Sequence, residues 1–272
     1  MASNVLKMNK NLEVGNQLPQ LQFILSKNLS SGVAYQRVID HQKVQKIVKE
    51  FNPHKLGIIK VSYRDGQYHV YDGQHRLMAL KIINNNKDCM IPCEIHYGLT
   101  YEDEARLFAE QYDGATKVDI IYQMGALYEA KDEEVITLKE IVESAGLELS
   151  FSKAKGNNRI IAVSQVRKMY KELYKDGLYE SLNLIKQTWD GVSSSLDKHI
   201  LGGMRVFYKI YRPEVNERIF IKNLSKIQPM MIKRIGDSDI SARGDLKYAK
   251  VILDYYNKGQ TVKTRLDYKF KG

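Results

Sequence analysis

The sequence predicts an α+β protein: a small mixed sheet with flanking helices over residues 1–115, then a mostly helical domain over residues 116–272. Two strand-like runs flank Asp65-Gly66, a strong hairpin signal. Directly after them, Leu77, Met78, Leu80, Ile82 and Ile83 fall at positions that need a helix. From about residue 117 onward, apolar residues recur mainly at spacings of three and four.

Taken in order, residues 38–51 place apolar side chains at 38, 39, 44, 47, 48 and 51, a helical spacing, and Pro53 stops the helix. Gly57 opens a β-branched strand, the Asp-Gly turn follows, and residues 68–71 return. Asp72-Gly73 precedes the helix that begins at Gln74, and the Asn-rich stretch 84–88 ends it. Residues 91–97 form the next strand. Thr100 and Asp103 make a shortened capping box for the helix after it. In the second half, helices are expected over 120–128, 138–145, 163–174, 182–189, 206–211, 219–227 and 249–256. Thr137, Ser164 and Ser181 stand where N-caps belong, and Gly146 and Gly177 where helices end.

Hydrophobic residues make up 43% and charged residues 27%, a globular rather than a disordered or fibrous balance. No run approaches the ~18 consecutive apolar residues of a membrane span. The opening MASNVLKMNKNLEVGN lacks the apolar core and cleavage site of a secretory signal, so the expected location is cytoplasmic. Cys89 and Cys93 are too few for a disulfide scaffold or a four-cysteine metal site. The net charge of +10 is uneven: residues 1–115 hold +2 of it and residues 116–272 the other +8. Charge of this kind bears on partners rather than on fold.

The sharpest local feature is Tyr71-Asp72-Gly73-Gln74-His75-Arg76, where a strand ends, turns and enters a helix. A first helical turn leaves N–H groups unpaired at the positive end of the dipole and attracts anions. Gly73 lets a ligand approach the backbone, Arg76 can fork onto a phosphate, and His75 can donate to one or shuttle a proton. Asp72 can cap the helix, hold a sugar hydroxyl or hold a metal-bound water. The competing structural reading has Asp72 as the N-cap and Arg76 in a salt bridge.

The segment FNPHKLGIIKVSYRDGQYHVYDGQHRLMALKI, followed by IPCEIHYGLTYEDEARLFAEQ, resembles the N-terminal domain shared by the ParB partition proteins and sulfiredoxin. The Asp-Gly-Gln-His-Arg form is similar to that of phage and mobile-element proteins and of a component of DNA phosphorothioation systems. The resemblance covers about residues 30–113. It implies a ParB/sulfiredoxin-like nucleotide-binding domain, with nucleoside triphosphate (CTP or ATP) and Mg²⁺ as cofactor. On matching positions it places Gly73, Gln74, His75 and Arg76 around the phosphates, with Arg37 from Tyr35-Gln36-Arg37 as a further contact. It also places Glu110, with Gln111 beside it, near the metal. Sulfiredoxin has its catalytic cysteine where this chain has Gln74, so sulfinic acid repair lacks a nucleophile.

Partition proteins carry a helix-turn-helix after this domain. Here the helix near Thr137 and the one near Ser164 are separated by more than a tight turn, which predicts at most a variant helix-turn-helix. The loop between them holds Lys153, Lys155 and Arg159, and the second helix carries Arg167 and Lys168. Lys222 and Lys226, four apart, are expected on one helical face, with Lys233 and Arg234 beyond. Such residues suit a phosphate backbone, and solvated lysines look the same in sequence.

The expected function is therefore a nucleotide-responsive DNA-binding protein of partition, replication or regulatory type. Double-stranded DNA is the expected partner, and a homodimer the candidate assembly. The alternatives are an enzyme, such as a weak NTPase, phosphotransferase or nuclease using Asp72 and His75 around Mg²⁺, and a scaffold that has lost nucleotide binding.

Overall fold

A computed structural model of the chain describes residues 18–110 and 119–270. The described residues fall into two compact units, 18–110 with 125–131, and 119–124 with 132–270. The expected boundary between 115 and 116 lies outside the described residues. Residues 125–131, expected in the helical domain, belong to the first unit.

The first unit is built on strands β1 (Gln20–Leu25), β2 (Leu29–Ser30), β3 (Ile59–Arg64), β4 (Gln67–Asp72) and β5 (Met90–Tyr97). They lie in the order β1-β5-β3-β4-β2. The β1/β5 and β3/β4 pairs are antiparallel, and the β3/β5 and β2/β4 pairs parallel, so the sheet is mixed as expected. Arg64 pairs with Gln67 across a two-residue loop, where Asp65 and Gly66 have φ of 54° and 76°. Two positive φ values match the turn whose twist suits a hairpin. Strands β1 and β2 were not anticipated by the periodicity. β1 lies at the sheet edge with Leu21 and Phe23 exposed.

Helix α1 (His41–Lys49) is shorter than the expected 38–51, because the Asp40 carboxylate accepts the Gln42 and Lys43 N–H groups and fixes the start. Helix α2 (Gln74–Ile83) buries Leu77 against Ile59, Val61, Val70, Ile91 and Ile95 of the sheet. Helix α3 (Tyr101–Ala109) starts with the Thr100–Asp103 capping box, both reciprocal bonds being formed. Cys89 and Cys93 are free thiols, and burial pushes Cys93 up to about 11, leaving it protonated at neutral pH.

Helix α4 (Ile120–Glu129) contributes residues to each unit. The second unit continues with α5 (Glu133–Ser144), β6 (Glu148–Leu149), β7 (Arg159–Ile160), α6 (Val163–Trp189), α7 (Lys198–Tyr211), α8 (Glu217–Leu224), α9 (Pro229–Ser238) and α10 (Leu246–Asn257). Phe207 of α7 centres its aromatic core, with the Tyr211, Phe220 and Tyr256 rings at 5.1, 5.9 and 6.2 Å. The Trp189 indole N–H donates to the Leu224 and Ile227 carbonyls.

Several helix ends differ from expectation. Thr137, Ser164 and Ser181 lie inside helices. Asp132 caps α5 through the Val135 N–H, and α6 follows Ala162 with no side-chain cap. Within α6 the helix expected at 163–174 does end at Tyr174, whose φ of 60° and ψ of −174° are not helical, and the helix expected at 182–189 starts earlier, soon after that break. Gly177 lies within α6 rather than at a helix end, and a Cβ there would stand 2.9 Å from Leu173 Cβ. Gly146 does follow the C-cap of α5, with φ of 73°. Helix α9, headed by Pro229, was not anticipated. No helix among the described residues is long and apolar enough to cross a membrane.

Candidate phosphate-binding site

The Asp72-to-Arg76 turn forms as the sequence suggests, with different internal bonding. β4 ends at Asp72, Gly73 turns with φ of 101°, and α2 begins at Gln74. A Cβ on Gly73 would stand 3.1 Å from Ile59 Cγ1 and 3.1 Å from Arg76 Nη2. Glycine therefore supplies both the left-handed backbone and the space. Asp72 is not the N-cap. No side chain caps α2, and its first turn contains no acidic residue.

The Asp72 carboxylate instead accepts from Arg76 Nη2 at 2.9 Å. Arg76 Nη1 donates to the Leu56 and Ile58 carbonyls at 3.2 and 3.0 Å. The guanidinium is thus a clamp between the loop before β3 and the start of α2. Of the two readings the sequence left open for Arg76, the salt bridge is the one formed, and three of its donor contacts are made within the protein.

The segment before α1 is laced onto the same place. Gln36 Nε2 donates to the Val70 carbonyl at 2.5 Å, and Gln36 Oε1 accepts the Gly32 N–H. Gln74 Nε2 donates to the Arg37 carbonyl at 2.8 Å. The Asp40 N–H donates to His75 Nε2 at 3.0 Å. With Nε2 accepting, a neutral His75 carries its proton on Nδ1. Burial, then the charges of Arg37 and Lys43, hold His75 below the usual histidine range, partly opposed by Asp40. Nearby, Tyr35 donates to the fully buried Glu104 at 3.0 Å, and Arg64 Nε donates to the other oxygen at 3.0 Å.

Two polar atoms at this junction are buried without a partner, Arg37 Nε and Gln74 Oε1. Gln74 itself is only 5% exposed. The Arg37 guanidinium makes no ion pair among the described residues. Glu110 is the exposed C-cap of α3, and Gln111 lies outside the described residues. Sequence reasoning found Arg37 and the turn, and missed Gln36, Asp40 and the Tyr35–Glu104–Arg64 network. Their only local signal is the polar run Tyr35-Gln36-Arg37 ahead of a helix start.

In the second unit, α5 and α6 are not joined by a helix-turn-helix turn. The connection holds the parallel β6/β7 ladder, with Glu148 opposite Arg159. Several of the expected nucleic-acid contacts are neutralised. Lys153 pairs with Asp119 at 2.7 Å, Arg159 with Glu148 at 3.0 Å, and Lys233 with Asp237 at 3.6 Å. Arg167 meets Glu134 through two bonds of 2.6 and 3.0 Å. Lys155, Lys168, Lys222, Lys226 and Arg234 are exposed and make no ion pair among the described residues. Lys222 and Lys226 do not share a helical face, because α8 ends at Leu224.

A family model, "Family of unknown function (DUF6551)", matches residues 31–270. No curated protein and no solved structure matches the chain. The match begins just after β2 and runs through both units, so the chain belongs to this family.

Proposed function

We propose that the protein binds nucleoside phosphates at the start of α2 and contacts duplex DNA through exposed cations of its second unit. One observation carries the reading: an unpaired arginine, Arg37, adjoins an uncapped helix start where a buried polar atom of Gln74 also lacks a partner. Anionic oxygens would accept from the N–H groups of the first turn and from Arg37. Gln74 Oε1 accepts from a ligand hydroxyl or amine, which suits a sugar or a base. These residues fit a nucleotide, as the likeness to ParB and sulfiredoxin domains implies. Mg²⁺ would arrive with a triphosphate, Glu110 being the carboxylate that likeness offers it.

Binding is favoured over catalysis by the bonding of the two candidate catalytic groups. Asp72 is held by Arg76, and His75 Nε2 is occupied by the Asp40 N–H. Neither is poised as a base. The DNA contacts fall to Lys168, Lys222, Lys226 and Arg234, which are exposed and make no ion pair among the described residues.

The test is calorimetric titration of CTP, ATP, GTP and ADP with Mg²⁺ into the wild type and into Arg37→Ala. Arg37 is the residue to change, because Arg76 holds the fold. The wild type is expected to bind one nucleotide, and Arg37→Ala to bind at least tenfold more weakly, about 1.4 kcal/mol. A folded wild type that binds none of the four refutes the proposal. The DNA part predicts an affinity that falls steeply with salt, with a shallower slope in Lys222→Gln/Lys226→Gln.

A further inference from the structure

We infer that the second unit holds a separate binding cleft for a small organic anion with an apolar body. The cleft has a volume of about 730 Å³, within the range of ligand pockets. Its lining divides by chemistry. Ile121, Leu196, Ile200 and Met230 belong to its apolar wall. Lys155, Arg159, Lys198 and Lys233 bring four cations to it, against the single carboxylate of Asp197.

That carboxylate is already engaged. Asp197 caps α7 by accepting the His199 N–H at 2.9 Å and hydrogen-bonds the His199 ring. Arg159 and Lys233 each have one acidic partner outside the lining, Glu148 and Asp237. Lys155 and Lys198 make no ion pair among the described residues, so the cleft keeps a net positive charge against the single Asp197 carboxylate. The backbone adds to it. The first residues of α6, α7 and α9 all line the cleft, and α6 and α9 start without a side-chain cap. Two uncapped positive helix ends on a cation-rich cavity favour an anion there.

Size and apolarity select the occupant. A duplex backbone needs an extended polar track, whereas this is a bounded hollow with an apolar wall. A phosphate, sulfonate or carboxylate head on an aromatic or aliphatic body satisfies both halves of the lining. Three residues that the sequence offers as DNA contacts, Lys155, Arg159 and Lys233, are by this geometry assigned to the cleft. The inference uses only second-unit residues and is independent of the α2 site.

The test uses the full chain and the fluorescent anion 8-anilinonaphthalene-1-sulfonate, with N-phenyl-1-naphthylamine as the uncharged counterpart. One saturable site is expected, with at least tenfold weaker binding of the neutral probe. Lys155→Glu and Lys198→Glu, both at exposed side chains, are each expected to weaken the anionic probe tenfold or more with thermal unfolding unchanged. Arg37→Ala is expected to leave it unaltered. Equal binding of the two probes, or sulfonate binding indifferent to both lysine changes, overturns the inference. So does displacement of the probe by a 20-base-pair duplex whose own binding is lost in the same variants, which would make the cleft part of a nucleic-acid surface. Should one lysine variant fail to fold, the other and the neutral probe still decide.

Discussion

Replacing Arg76 by alanine tests whether the most conspicuous basic residue of the turn acts on a ligand or on the fold. The guanidinium makes three hydrogen bonds, to Asp72 and to the Leu56 and Ile58 carbonyls, and both charged side chains are about a fifth exposed. A bond from a charged group contributes ~1.5–3 kcal/mol when buried, and partial exposure reduces each to about 1 kcal/mol. The expected loss is therefore about 3 kcal/mol, roughly a hundredfold in local opening. Arg76→Lys keeps the Asp72 pair but not the fork onto two carbonyls, and is expected to recover about half of the loss. Urea unfolding gives the total, and amide hydrogen exchange in peptides covering 56–83 locates it. A loss below about 0.5 kcal/mol, the range of an ordinary surface change, would refute the clamp and return Arg76 to the ligand.

Gly73→Ala meets both a left-handed backbone and two contacts of 3.1 Å, so thermal unfolding is expected to report a loss of about 1–3 kcal/mol. Glu104→Gln turns an amide toward two donors, Tyr35 and Arg64, and is expected to cost about 3–5 kcal/mol in urea unfolding; a cost under 1 kcal/mol would contradict the buried pairing. His75 is held below its unfolded value of about 6.5, so its neutral form stabilises the fold above that pH, and the contribution is lost as pH falls through the lower folded value. Urea midpoints from pH 7.5 to 5 should fall more steeply for the wild type than for His75→Gln, and parallel curves would count against the burial of His75 beside Arg37 and Lys43.

Much of the site was legible because its signals are local. Asp65-Gly66 is a hairpin turn by backbone chemistry alone, and Gly73 before an apolar-periodic stretch marks a helix start. The pairing of Asp72 was not legible, since the same carboxylate is in reach of a helix N–H and of a side chain four residues on. What decided it is the Leu56 and Ile58 carbonyls, which anchor Arg76 from a loop well upstream. The β1 strand escaped notice although Gln20-Leu21-Gln22-Phe23 alternates polar and apolar residues, and its apolar Leu21 and Phe23 are exposed rather than buried. In the second unit, Thr137 and Ser181 have cap chemistry but sit in helix interiors, where packing overrode local preference. The cleft lies beyond sequence reasoning altogether, because its cations come from a loop, a short strand and two helices.

The register of the sheet also has a bearing on how the chain is made. Strand β1 leaves the ribosome long before β5, its one sheet neighbour among the described residues, and the two join residue to residue from Gln20↔Ile95 to Leu25↔Met90. At elongation rates of roughly 5–20 residues per second, β1 waits several seconds with Leu21, Phe23 and Ile24 unpaired. The β3/β4 hairpin, closed by two residues, can form as soon as it emerges. The strand at the sheet's edge is therefore open, while it waits, to a holding chaperone or to a neighbouring copy on the same message.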